Sequence, residues 1–138
     1  MDKHRMQRPF AAIAVLAMAS CAGCASSAVT RVNLPTLTMD SSTVQMTGMA
    51  TGTLVAEEGC IRLTGAGGPS RLVIWPEGTR FIDGTQHHIT FPSGKSVAVG
   101  ESVTLGGGER SDLDPSMLAR PAPDGCKGPY FIAADRIQ

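Results

Sequence analysis

From position 52 to 134 the apolar residues come in short runs, and turn residues break these runs about every 8 to 12 positions, the spacing of a small all-β sandwich or barrel. The pattern predicts strands at 52–57, 60–64, 71–75, 80–82, 87–91, 96–99, 102–105 and 130–134. Glu58-Gly59, Pro76-Glu77-Gly78, Asp83-Gly84, Pro92-Ser93-Gly94 and Gly100-Glu101 supply the positive or fixed φ that tight reversals need. Period-two alternation turns Ile61 and Leu63, Leu72 and Ile74, Ile89 and Phe91, Val97 and Val99, and Val103 and Leu105 inward, and these ten residues are the expected core. Residues 25–48 keep neither a strand nor a helix period. They are rich in Ser and Thr and read as a tether, although part of 29–39 can add an edge strand.

One stretch of the β-region carries helix signals. Asp114 is placed to cap residues 112–119, Pro115 suits the first helical position and Pro121 stops the run. Two turns do not stand alone, so Met117 and Leu118 are expected to pack on an open end of the β-structure. The fold class that follows is a small, partly open barrel of five or six main strands, of the oligonucleotide/oligosaccharide-binding type, with one short capping helix.

The N-terminus is patterned differently. Lys3, His4, Arg5 and Arg8 precede an apolar run over 10–19, which ends in Ser20-Cys21-Ala22-Gly23-Cys24. A basic segment, about ten apolar residues and then small residues make an export signal too short to span a bilayer as a permanent helix. Small residues ending on a cysteine resemble the lipobox of bacterial lipoproteins, in which the cysteine receives diacylglycerol and becomes the new N-terminus. Cys21 and Cys24 both fit, and neither has the Leu that the family prefers three positions back. The alternative is a plain secretory peptide cut after Ser26-Ser27-Ala28, which would remove both cysteines. The expected organisation is a signal helix over 1–20, an anchor and tether over 21–48 and a β-domain over 49–138. Ala rather than Asp after either cysteine implies, by resemblance to the usual sorting pattern, an outer-membrane lipoprotein facing the periplasm.

Charge narrows the partners. The whole chain has 12 basic and 12 acidic residues; loss of 1–20 removes Lys3, Arg5 and Arg8 but only Asp2, leaving a small acidic excess. A nucleic-acid partner, whose phosphates demand clustered Lys and Arg, is not expected, nor is electrostatic membrane adhesion. With Cys21 and Cys24 assigned to processing, Cys60 and Cys126 remain, in a compartment that oxidises thiols. The expectation is a mutual disulfide that stabilises the fold by roughly 4 kcal/mol, with free thiols or a metal or catalytic role as the alternatives.

A second resemblance covers about residues 52–134. Gly59-Cys60-Ile61-Arg62-Leu63, Leu72-Val73-Ile74-Trp75-Pro76-Glu77-Gly78, Gly106-Gly107-Gly108-Glu109 and Cys126-Lys127-Gly128-Pro129-Tyr130-Phe131 resemble a pattern in small exported bacterial proteins: a Cys-bearing strand, a Trp-Pro-x-Gly turn, a Gly-Gly-Gly-Glu loop and a Cys-x-Gly-Pro-aromatic ending. The resemblance implies one structural module and transfers no activity.

Other candidate chemistry is thin. Gly94-Lys95-Ser96 has Ile89 where a phosphate loop needs its upstream glycine. His87 and His88 are adjacent, so on a strand they point to opposite faces and do not share a metal, although Asp83 can join one of them. Met39, Met46 and Met49 offer soft donors for Cu(I). Glu109, Asp112 and Asp114 are the densest carboxylates, explained by capping and solvation before glycoside hydrolysis. Trp75, the sole tryptophan, can be a ligand platform with Tyr130 as neighbour, or can be buried. The sequence therefore points to a cofactor-free, non-enzymatic envelope lipoprotein that binds a partner protein or wall polysaccharide, with copper handling and a small hydrolase as rivals.

Overall fold

The computed structural model describes residues 31–38, 46–65 and 68–138; the segment that bears Cys21, Cys24 and the signal helix lies outside them, as does Met39. Ten strands follow in order: β1 Thr36–Leu37, β2 Gly48–Glu57, β3 Cys60–Thr64, β4 Arg71–Ile74, β5 Arg80–Ile82, β6 His88–Thr90, β7 Ser96–Ala98, β8 Ser102–Arg110, β9 Leu118–Arg120 and β10 Tyr130–Ile137.

Five of them make a barrel-like sheet in the order β10-β4-β3-β2-β8, with β8 also paired to β10. The β2–β3 hairpin turns on Glu58 and Gly59, both at positive φ (51° and 83°), the requirement of a two-residue primed turn. β4 pairs antiparallel with β3 and parallel with β10, and β10 returns antiparallel to β8. Counting only these five in chain order, the arrangement is 1-2-3-5-4 and back to 1. That winding, which the spacing of strands does not reveal, is the Greek-key path of the oligonucleotide/oligosaccharide-binding barrel, the type expected from the sequence. Its seams are uneven: β2 and β8 share six partnered positions, β3 and β4 only two.

Leu54, Ile61, Leu63, Val73, Val103, Leu105, Phe131 and Ala133 fill the interior. The antiparallel sheet β5-β6-β7, inserted between β4 and β8, adds Ile89, Phe91 and Val97 to the same cluster and so plugs the barrel. Its β6–β7 turn is clasped to the last strand, since the Ser93 amide and hydroxyl donate to the two carboxylate oxygens of Asp135 at 2.8 and 2.6 Å. Gly94 has φ +87° in that turn and Phe91 N–H bonds Lys95 O, so Gly94-Lys95-Ser96 is a hairpin reversal.

Nine of the ten expected core residues are buried and Val99 packs partly buried beside them. One strand faces the other way. Val73 and Trp75 point into the barrel, whereas Leu72 and Ile74 point outward into a second cluster with Leu37, Cys60, Cys126 and Ile132. A strand apolar on both sides carries no alternation from which to choose a face.

The expected helix at 112–119 is a single 3-10 turn, Pro115–Met117, after which the chain straightens into β9. Asp114 caps it as foreseen, accepting from the Ser116 amide at 2.9 Å. The continuation is taken by pairing, because Leu118–Arg120 runs antiparallel to β1 and Met117 O accepts from Thr38 N–H. Within the segment read as a tether, 31–38 is folded, and β1 is the edge strand allowed for at 29–39. Leu34 reaches the main cluster, Thr36 and Leu37 are buried in β1, and residues 31–38 belong to the folded unit.

Candidate functional site

On an oligonucleotide/oligosaccharide-binding barrel the outer face around the second and third main strands, with the loops between strands one and two and between four and five, takes the ligand. In this chain those elements are β3, β4, the Glu58-Gly59 turn and residues 111–129. The last of these is a strap laid over the face. Leu113, Met117, Leu118 and Ala122 pack partly buried against Leu72, Ile74 and Ile132, and β1 joins the layer through β9 and a bridge from Thr36 to Trp75. Burying each of Leu37, Leu72, Ile74 and Ile132 contributes about 1.5–3 kcal/mol relative to exposure, enough to keep the layer down.

The strap is pinned covalently. Cys60 on β3 is bonded to Cys126 across a sequence separation of 66, with Cα atoms 5.7 Å apart, and both are buried. Arg62, two residues along β3 on the same outer side, fixes the strap beside that bond: its guanidinium donates to Lys127 O at 3.0 Å, to Ser70 Oγ at 2.9 Å and to Ser70 O at 3.0 Å. Leu72 N–H bonds Pro129 O, carrying the strap into β10. The Gly-Cys-Ile-Arg-Leu and Cys-x-Gly-Pro-Tyr segments are thus the two halves of one fastening.

The glycine triplet is equally architectural. Gly106-Gly107-Gly108 is not a loop but the middle of β8, pressed from both sides. A Cβ on Gly107 would occupy the space of the Ile132 carbonyl oxygen, one on Gly108 would meet Met46 Sδ, and one on Gly106 would lie 3.0 Å from Arg136 Cβ. Glu109 then reaches Arg71 on β4 at 2.7 Å.

Trp75 is not a surface platform. It is 0 % exposed, its ring meets Phe91 edge-on at 5.5 Å and 71°, and Nε1 has no hydrogen-bond partner among the described residues. Pro76 O receives both the amide and hydroxyl of buried Thr79, with Gly78 at φ +88° closing the turn. Tyr130 sits half-buried in the other cluster, so the two rings are not a joint site.

The remaining candidates disperse. His87 Nδ1 lies 3.0 Å from Asp83 and its ring stacks on Phe81, while His88 Nδ1 meets Gln86 O at 2.8 Å. Met46 packs on Gly108, whereas Met49 is exposed with Sδ 3.8 Å from Gln138 Nε2, so these two have separate surroundings, and Met39 lies outside the described residues. Glu109, Asp112 and Asp114 go to Arg71, Arg110 and the Ser116 amide respectively. The hydrogen bond from the Ser116 backbone, with a further one from its hydroxyl, holds the Asp114 carboxyl below the ordinary carboxylate range. Among the described residues no three His, Cys, Asp or Glu side chains gather as a metal group, and no helix is long and apolar enough to cross a membrane.

Among the described residues one surface is left without a cover. On β2 the side chains of Met49, Thr51, Thr53 and Val55 point away from the barrel, beside Ser102 and Thr104 of β8 and Thr64 of β3. Met49 is 53 % and Val55 38 % exposed, and the Thr51 and Thr104 hydroxyls touch at 2.7 Å. The sequence reading misses this face because it begins the strand at 52, although Met49-x-Thr51-x-Thr53-x-Val55 is an alternating strand pattern.

The class defined by these features is a five-stranded Greek-key barrel whose usual ligand face is sealed by its own disulfide-pinned strap. Comparison with protein-family models, curated proteins and solved structures gave no match.

Proposed function

We propose that the chain is a bacterial cell-envelope lipoprotein, anchored through Cys21 or Cys24, whose barrel serves as a non-enzymatic binding or structural module. The observation that carries the reading is the Cys60–Cys126 bond at the centre of the strap fastening. A fold fastened this way suits an oxidising space outside the cytoplasm, which is where the N-terminal pattern directs the chain. The polar groups that might have suggested catalysis are each engaged with a separate structural partner, which supports a scaffold over a reaction centre. A partner protein or wall polysaccharide would meet the domain away from the strapped face.

The test is metabolic labelling with palmitate in cells that express the chain, together with Cys21→Ser and Cys24→Ser singly. Label lost in one of the two variants, and retained in the membrane fraction by the other, is the expected result. An unlabelled chain dissolved in the cytosol with Cys60 and Cys126 reduced would overturn the proposal.

A further inference from the structure

Folded structure is already in place at residue 31, only seven positions after Cys24 and ten after Cys21. The attachment is firm. Leu34, Pro35, Thr36 and Leu37 are buried, and Val32 packs against the main cluster. Trp75 N–H donates to Pro35 O and Leu37 N–H donates to Trp75 O, both at 2.9 Å. Thr36 partners Arg120, whose guanidinium also reaches Leu34 O at 3.5 Å. Arg31 and Asn33 are exposed, so the chain enters the fold from the surface at this point.

We infer that the barrel is held against a lipid surface at the place where the chain enters it at Arg31, an inference that rests on lipid attachment at Cys21 or Cys24. Lengths decide this. Ten chain steps from Cys21 to Arg31 reach at most about 35 Å when fully extended, and seven from Cys24 about 25 Å. A flexible chain of either length averages only about 15–17 Å. The domain itself is about 35 Å across, from a radius of gyration of about 13 Å for its size. A leash averaging less than half the width of its load keeps that load on the headgroups. A tether free as far as residue 48 would instead average about 30 Å and extend to about 95 Å. No basic patch is needed, because connectivity alone supplies the proximity. The whole domain then lies within about 50 Å of the lipid, leash included, and whatever it binds has to come that close to the membrane.

Trp75 supplies the ruler, being the sole tryptophan and joined through its backbone to Pro35 and Leu37. The chain, processed in cells and purified with its lipid, is reconstituted into vesicles of phosphatidylethanolamine and phosphatidylglycerol that carry dansyl headgroups, and energy transfer from Trp75 to dansyl is measured. Strong transfer is expected. It should fall at least about twofold when a flexible spacer of about 25 residues is inserted between Ala28 and Val29, since the average leash then roughly doubles. Transfer no greater in the chain of native length than in the spacer variant, with both floating with the vesicles and melting alike, would overturn the inference while leaving the anchor intact. A chain that does not float with the vesicles overturns the anchor reading, and this inference with it.

Discussion

The two outer faces of the barrel are built from the same kind of strand and have opposite fates. Around β3, β4 and β10, the outward residues Leu72, Ile74 and Ile132 are apolar and lie under the strap, β1 and the Cys60–Cys126 bond. Around β2 and β8, the outward row is mostly hydroxyl, from Thr51, Thr53, Ser102 and Thr104, with Met49 and Val55 as the large apolar side chains among them, and it stays in solvent or half-exposed. Apolar outward positions need a cover and hydroxyls do not, so the composition of each face decides which one the chain can leave open. The consequence for function is that the face such barrels ordinarily offer is consumed by folding, and any surface for recognition has to be found elsewhere.

The difference can be broken most severely on the fastened side. Reduction of Cys60–Cys126, or Cys60→Ser with Cys126→Ser, is expected to remove roughly 4 kcal/mol and lower the melting temperature by about 15–30 °C, read from thermal melts with and without a dithiol. Gly107→Ala, which drives a methyl into the Ile132 carbonyl, should destabilise by on the order of 3 kcal/mol in denaturant titration. Trp75 separates packing from polarity: Trp75→Ala is expected to lose about 3–5 kcal/mol, whereas Trp75→Phe loses much less, because no indole hydrogen bond to a described residue is given up. On the open side, Thr53→Lys should change monomer stability by no more than about 0.5 kcal/mol.

The smallest effect is local and depends on pH. The Asp114 carboxyl is held below its ordinary value by the Ser116 bonds, so its support of the 3-10 turn is full above the unfolded carboxylate pKa, near 3.9, and fades as pH falls through the lowered folded value. Ser116 amide exchange, corrected for its intrinsic pH dependence, should show less protection in acid, and Asp114→Asn should flatten that dependence.

Legibility in the sequence followed the same division. Where polar side chains alternate with apolar ones, the period locates the strand: 60–64 and 80–82 are found at their expected limits, and Ile61, Leu63, Ile89 and Phe91 face as expected. Where both sides are covered, the period vanishes. Leu72-Val73-Ile74-Trp75 was assigned the wrong inward pair for that reason, and Gly106-Gly107-Gly108 read as a loop because close approach of β10 and Met46 selects glycine without leaving a strand signature. Asp114, Pro115 and Pro121 suggest a helix at 112–119 because they are local signals, whereas the partners that draw Leu113, Met117 and Leu118 into the strap, on β1, β4 and β10, are distant in sequence. The disulfide was readable from cysteine usage, but that it fastens a strap over the ligand face was not, since that depends on the path of residues 111–129.

Hydroxyl-radical footprinting of the oxidised native protein compares the faces residue by residue. Corrected for intrinsic reactivity, Val55 and Met49 should be modified readily, while Leu37, Leu72, Ile74 and Ile132 stay protected until the disulfide is reduced or the protein is unfolded. Labelling of Leu72 and Ile74 in the oxidised native state at the rate of Val55 would show that no strap covers that side, and would contradict the account.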